Sequence, residues 1–188
     1  MIKKKAFNLL LLFFAAIILH AQPTDSLVNH IDEQGLKQGY WKKTDKEENL
    51  IYEGQFKDDI PYGTFTYYYL DGSVKAVSEI YDKGKRAYTK TYHKNGQLMT
   101  EGYYLNKQKD STWKFYNVRG ELLTKEHYEK NRLHGKFISY YADSTVSEIL
   151  HYSNGEKTGP WQQFYKNGQL KLEATFSRDS LQGRALYY

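Results

Sequence analysis

Hydrophobic and polar positions along this chain recur every 24 residues without drift. Trp41, Phe65, Trp113, Phe137 and Trp161 share one register, with Thr89 and Ala185 at the same spacing. Three residues later comes a second register: Thr44, Tyr68, Tyr92, Tyr116, Tyr140, Phe164 and Tyr188. An aliphatic one (Leu50, Val74, Leu98, Leu122, Val146, Leu170) lies nine after the first. A fourth (Phe56, Ile80, Tyr104, Tyr128, Tyr152, Phe176) lies fifteen after it. A fixed short period predicts one supersecondary unit stacked along an axis, each copy burying its neighbour's face.

Each unit divides into two short runs separated by turn chemistry. Asp71-Gly72, Asn95-Gly96 and Asn167-Gly168 stand between strand-like runs, and Arg119-Gly120 and Asp143-Ser144 fill the same place. Such pairs signal hairpins because a tight turn needs positive φ. The run after the turn alternates with period two, as in Leu170, Leu172, Ala174 and Phe176 against Lys171, Glu173 and Thr175. That alternation predicts a half-buried strand. Its middle inward position is small at Gly54, Ser78, Gly102 and Ala174, leaving room for a ring from a neighbouring strand; Glu126 and Leu150 depart from this. A second turn follows at Asp58-Asp59 and its equivalents, and then a small residue precedes the next aromatic.

The expected fold is therefore all-β: an elongated antiparallel β-meander of stacked 24-residue hairpins in a single-layer twisted sheet. Units start near Gly39, Gly63, Ala87, Ser111, Gly135 and Gly159, with a closing strand at 183–188. Residues 22–38 are expected to form a leader or N-terminal cap. Rings at the first, fourth and sixteenth positions of the unit are expected to pack together.

The N-terminus changes the picture of location. Lys3, Lys4 and Lys5 precede an apolar run from Ala6 to Leu19, and Leu19-His20-Ala21 offers a small residue at a cut before Gln22. This is the layout of a secretory signal peptide, over residues 1–21, and the run is short for a membrane span. A cut at Ala16 or an uncleaved N-terminal membrane anchor are the alternatives. The chain has no Cys, which excludes a lipoprotein and leaves an exported, periplasmic or secreted, protein without disulfides. Loss of the leader takes Lys+Arg from 27 to 24 against 22 Asp+Glu, so a strongly basic, nucleic-acid-binding character disappears with it. The 19 Tyr suit a thin sheet whose faces are half exposed, since tyrosine has an apolar body and a wet tip.

Gly159-Pro-Trp-Gln-Gln-Phe-Tyr-Lys-Asn-Gly-Gln-Leu170 resembles the MORN repeat, most closely the variant of bacterial proteins labelled YwqK-family antitoxin. The pattern recurs from Gly63 to Ile80 and Gly135 to Tyr152, and in degraded form from Ala87 to Tyr104 and Ser111 to Tyr128. The resemblance implies an elongated β-meander acting as an interaction or scaffold module, sometimes lipid-associated; the antitoxin label implies toxin binding in the cytoplasm. Ala87 and Thr89 lack the glycine and the aromatic of the pattern, which makes that copy a weak point in the sheet.

No arrangement in the sequence carries catalysis. His127 and His151 recur at one place in consecutive units, about 9.5 Å apart across two strand spacings, too far to share one zinc ion as direct ligands. Glu53, Glu101 and Glu173 recur at one position and read as a solvated repeat face, because two or more units separate them. There is no Cys nucleophile, P-loop, G-x-S-x-G or H-E-x-x-H. The chain is expected to be non-enzymatic, with no cofactor and no metal. The candidate ligand contacts are Tyr69, Tyr141 and Tyr165, which adjoin Tyr68, Tyr140 and Phe164 and so turn to the opposite face. The expected partner is another protein of the cell envelope; glycan or lipid headgroups stacked on those tyrosines, and a toxin, are the alternatives.

Overall fold

The computed structural model describes residues 28–188. Residues 1–27, which include the expected signal peptide and part of the expected cap, lie outside the described residues.

Alternating runs bounded by turn residues form the strands β1 (His30–Ile31), β2 (Lys37–Thr44), β3 (Leu50–Lys57), β4 (Ile60–Tyr68) and β5 (Val74–Tyr81). They continue as β6 (Arg86–Tyr92), β7 (Leu98–Leu105), β8 (Gln108–Tyr116), β9 (Leu122–Glu129) and β10 (Arg132–Tyr140). The last are β11 (Val146–Ser153), β12 (Glu156–Lys157), β13 (Gly159–Phe164), β14 (Leu170–Ser177) and β15 (Ser180–Tyr187). All pair antiparallel in sequence order, in one open sheet; the short β12 pairs with β11 beside β13. Among the described residues there is no helix. The strands pack chiefly against their neighbours in the sheet, so the protein is a meander one layer thick.

The two kinds of turn solve the chain reversal differently. At the Asp-Gly and Asn-Gly turns only the second residue takes positive φ, as at Gly72, Gly96 and Gly168. The Gly72 N–H donates to the Tyr69 carbonyl and the Tyr69 N–H to the Ser73 carbonyl, closing a three-residue loop that ends in a left-handed residue. Asp71 and Asn95 spend their side chains on the N–H groups of Ser73 and Gln97. The tight two-residue turns lie at the other rim, where Asp58-Asp59, Asn106-Lys107, Lys130-Asn131 and Arg178-Asp179 all take positive φ at both residues. That geometry matches the right-handed twist of the flanking strands.

One copy departs from the rest and still keeps the 24-residue period. Between β3 and β4 the pairing runs Lys57↔Ile60 and Gln55↔Tyr62, then shifts to Glu53↔Thr66, leaving two extra residues in β4 around Gly63. Gly63 takes φ 67° there. Between β5 and β6 the register runs unbroken from Tyr81↔Arg86 to Ala76↔Thr91. Ala87 stays in the strand, whereas Ser111, at the same place in the next unit, takes φ 60° in the bulge. The two extra residues move into the turn instead, a four-residue loop in which Gly84 takes φ 78°.

Candidate binding face

Alternation puts the first and sixteenth positions of each unit on one face, where they form a ladder of rings. Phe56 stands between Trp41 and Phe65 at centroid distances of 5.9 and 5.2 Å, both edge-to-face. Tyr104 meets Trp113 at 4.9 Å, Phe137 meets Tyr152 at 6.2 Å and Trp161 meets Phe176 at 5.4 Å. The small inward residues make this packing possible. A β-carbon at Gly54 would fall 2.5 Å from the Phe65 ring, and one at Gly102 would fall 2.4 Å from Trp113. Trp113, only 1% exposed, is the most buried large side chain among the described residues, and its indole N–H donates to the Tyr103 carbonyl.

Lysines cover the ladder from outside. Lys37 lies 4.9 Å from the ring centres of both Trp41 and Phe56. Lys109 stands over Trp113, Phe115 and Tyr128 at 4.7–4.9 Å, and Lys157 over Phe176 at 5.3 Å. These lysines are related by the repeat, each four residues before the first-position residue. Burial pushes the Lys109 ammonium below its ordinary value, while the Glu126 carboxylate pulls the other way. Glu126, the charged exception among the small inward positions, accepts from the Thr124 and Tyr128 hydroxyls.

The ladder is broken at β5 and β6, where Ile80 and Thr89 stand in place of rings. Thr89 and Ser78 are 7% and 8% exposed and satisfy each other through a 2.9 Å hydroxyl–hydroxyl hydrogen bond. The missing ring leaves a groove of about 650 Å³. Phe65 and Tyr67 wall one side and Tyr104 the other, with Ile80, Ala87 and Thr89 as floor. Lys85, Arg86 and Lys107 form its rim.

The fourth-position rings do not join this ladder. Tyr68 and Tyr116 lie on the opposite face, because three residues is an odd step along a strand. There they close on carboxylates. Glu53 accepts from the hydroxyls of Tyr40 and Tyr68. Glu101 accepts from Tyr88 at 2.6 Å, Tyr116 at 2.8 Å and Lys114 at 2.9 Å. Burial by itself raises the Glu101 carboxyl, but the three donors outweigh it and hold it at about 2. These two glutamates are thus hubs of a half-buried network, a correction to the solvated face expected from their spacing. The signal for them is a 48-residue recurrence, Tyr40, Glu53, Tyr68 and Tyr88, Glu101, Tyr116.

Tyr69, Tyr141 and Tyr165 are placed at the rim of the three-residue turns at Asp71-Gly72, Asp143-Ser144 and Asn167-Gly168, each bonded to the next unit. Their hydroxyls donate to the carbonyls of Tyr92, Phe164 and Tyr188, always 23 residues on. His93, at the same position, reaches the Tyr116 carbonyl. Tyr69 and Tyr141 are half-buried and Tyr165 is 42% exposed. The fold does not bring the three into one groove: three units, or about 28 Å of strand spacings, separate Tyr69 from Tyr141. His127 and His151 do not converge either; they bond to Thr112 and to the Pro160 carbonyl.

Among known proteins, no curated sequence matches the chain. A solved structure, the crystal structure of TarM, is similar over 50% of this chain and 19% of that one, at 10% identity and a TM-score of 0.38. The family model described as the MORN repeat variant matches residues 87–106, 133–154 and 157–177, three of the hairpin units of this sheet.

Proposed function

We propose that this chain is an exported, non-enzymatic repeat protein that binds another protein of the cell envelope through its ring-bearing face. The observation that carries the proposal is the groove at Thr89, an opening where the aromatic ladder lacks its ring. Aromatic side chains and arginine in one patch are what protein interfaces select, and the groove offers Tyr67, Tyr104 and Arg86. The repeats support a scaffold role in the same way: stacking copies extends a surface and encloses no reaction site. The basic, apolar N-terminal segment supports export.

The test is to express the full chain in its native host with photo-crosslinking residues at Tyr67, on the ring face, and at Thr64, on the other. The expected outcome is an envelope fraction holding a chain that begins at Gln22 and crosslinks one protein from position 67 only. Recovery of the uncut chain solely from cytoplasm would overturn export and favour a toxin-binding role. Crosslinks to glycan or lipid alone would replace the protein partner.

A further inference from the structure

We infer that the groove at Thr89 is a socket for an aromatic side chain of the partner, tryptophan above all, carried beside acidic residues. This rests on the protein-binding role proposed above and specifies what the partner must present.

The neighbouring units supply the template. In its fullest form the first-position ring sits over a glycine, meets a sixteenth-position ring edge-on, and lies beneath a lysine. Trp113 has all three: Gly102 below, Tyr104 at 4.9 Å and Lys109 at 4.7 Å. In the broken copy Ser78 stands for the glycine and Ile80 for the sixteenth-position ring, while the lysine persists. Lys85 occupies the sequence position equivalent to Lys37, Lys109 and Lys157, but four residues later stands Thr89, so the lysine has no ring of its own unit to cover. Tyr104 and Phe65 face the opening from either side.

Size and charge select the occupant. Phe65 and Tyr104 stand on strands three steps apart, a span of about 14 Å. Rings in contact lie about 4.5–7 Å between centroids, so a ring laid over Thr89, one strand from Tyr104, meets that ring, and a large one extends towards Phe65. Thr89 and Ser78 bond to each other, so the floor presents no unmet hydroxyl to an apolar ring. The rim is cationic. Lys85 and Lys107 make no ion pair among the described residues, and Arg86 holds only an exposed contact to Asp82 at 3.9 Å. Carboxylates next to the ring would pair with this rim, while Lys85 would gain a cation–π contact to the ring itself. A polypeptide offers both features on one strand, and it covers an open groove that a free small aromatic would leave half in water.

The probe is a fluorophore-labelled peptide with one Trp between pairs of Asp, compared with the same peptide bearing Ala for Trp or Lys for Asp, read by anisotropy. The competitor is the doubly substituted chain Ser78→Gly/Thr89→Trp, which supplies its own ring over a glycine as Trp113 does over Gly102. The acidic Trp peptide is expected to bind the unsubstituted chain about tenfold tighter than either control, and to lose about tenfold on the plugged chain. Equal binding by the Ala peptide, or undiminished binding to the plugged chain, would overturn the socket. So would binding of anionic-lipid vesicles that the plug abolishes, in the absence of any Trp preference. Should the plugged chain not fold, Lys85→Glu/Lys107→Glu is the second variant, expected to reverse the preference from Asp to Lys flanks. A plugged chain that still crosslinks the same envelope protein overturns the socket and leaves the binding role standing. Loss of crosslinking from the unsubstituted chain overturns the binding role itself.

Discussion

Trp113 lies against Gly102 so closely that a β-carbon at 102 would fall 2.4 Å from the indole. The contact crosses from β8 to β7 and is repeated one unit pair earlier by Phe65 against Gly54. Each glycine is therefore the seat of a ring. Gly102→Ala should destabilise by about 1–3 kcal/mol through overpacking, and Trp113→Ala by about 3–5 kcal/mol through the cavity it leaves. Thr89→Ala should cost about 1–2 kcal/mol, the price of a hydrogen-bond partner lost to buried Ser78. Urea midpoints compare the three; equal costs at 113 and 89 would contradict the ring-slot equivalence of the two positions.

Acid should loosen the opposite face first. The Glu101 carboxyl is held at about 2, against an ordinary 4.5, by Tyr88, Lys114 and Tyr116 acting against burial. Between those values the unfolded chain binds the proton that the folded chain does not. The stabilisation is therefore complete above about pH 4.5 and lost as pH falls through about 2, a loss of about 3 kcal/mol. Glu101→Gln should flatten this part of the stability profile, as read by denaturant unfolding between pH 2 and 5 (the range about which the group titrates).

Alkali acts on the same network with the opposite sign. Burial, and then the hydrogen bonds to Glu53 and Glu101, push Tyr40 and Tyr116 up to about 12 from 10.0. An unfolded chain releases these protons first. Stability is thus complete below about pH 10 and lost as pH rises through about 12. Tyrosinate absorbance should show a late-titrating class that shrinks in Glu101→Gln, where Tyr116 loses its carboxylate partner, and still contains Tyr40, which bonds to Glu53.

The tyrosines at the turn rim should behave as struts. Tyr69→Phe and Tyr141→Phe each remove a hydroxyl that donates to the next unit's backbone, from Tyr69 to Tyr92 and from Tyr141 to Phe164. Each should cost about 0.5–1.5 kcal/mol. Hydrogen exchange should rise locally, at the hairpin carrying the lost acceptor, because a stacked array transmits damage to its neighbours first. Uniformly raised exchange along the whole sheet would argue against that locality.

Much of this architecture is legible in the chain before any coordinates. The 24-residue spacing of Trp41, Phe65, Trp113, Phe137 and Trp161 gives a stacked hairpin, since a period without insertions leaves no room for another element. The small residues at Gly54 and Gly102 already mark the seats of the rings. Thr89 already marks the copy without one. The expected packing of the fourth-position rings with the first and sixteenth fails, because Tyr68 is an odd step from Phe65 and takes the opposite face.

Tertiary structure decided the rest, because it depends on pairing between strands and on side-chain reach. Which turns are two-residue and which are three-residue follows from the register: Asn95-Gly96 closes the longer loop and Asp58-Asp59 the tight one. Ala87 does not announce that its unit moves two residues from a bulge into the turn at Gly84; that follows only from β5 pairing with β6 without a shift. Glu101 becomes a half-buried hub because Tyr88, Lys114 and Tyr116 arrive from two flanking strands. Tyr69, Tyr141 and Tyr165 stand at the right place to be exposed, but their hydroxyls find a carbonyl 23 residues away, a distance set by the next hairpin and by nothing local. The chain's own pattern sets the period and the faces; the third dimension sets which polar atoms meet across them.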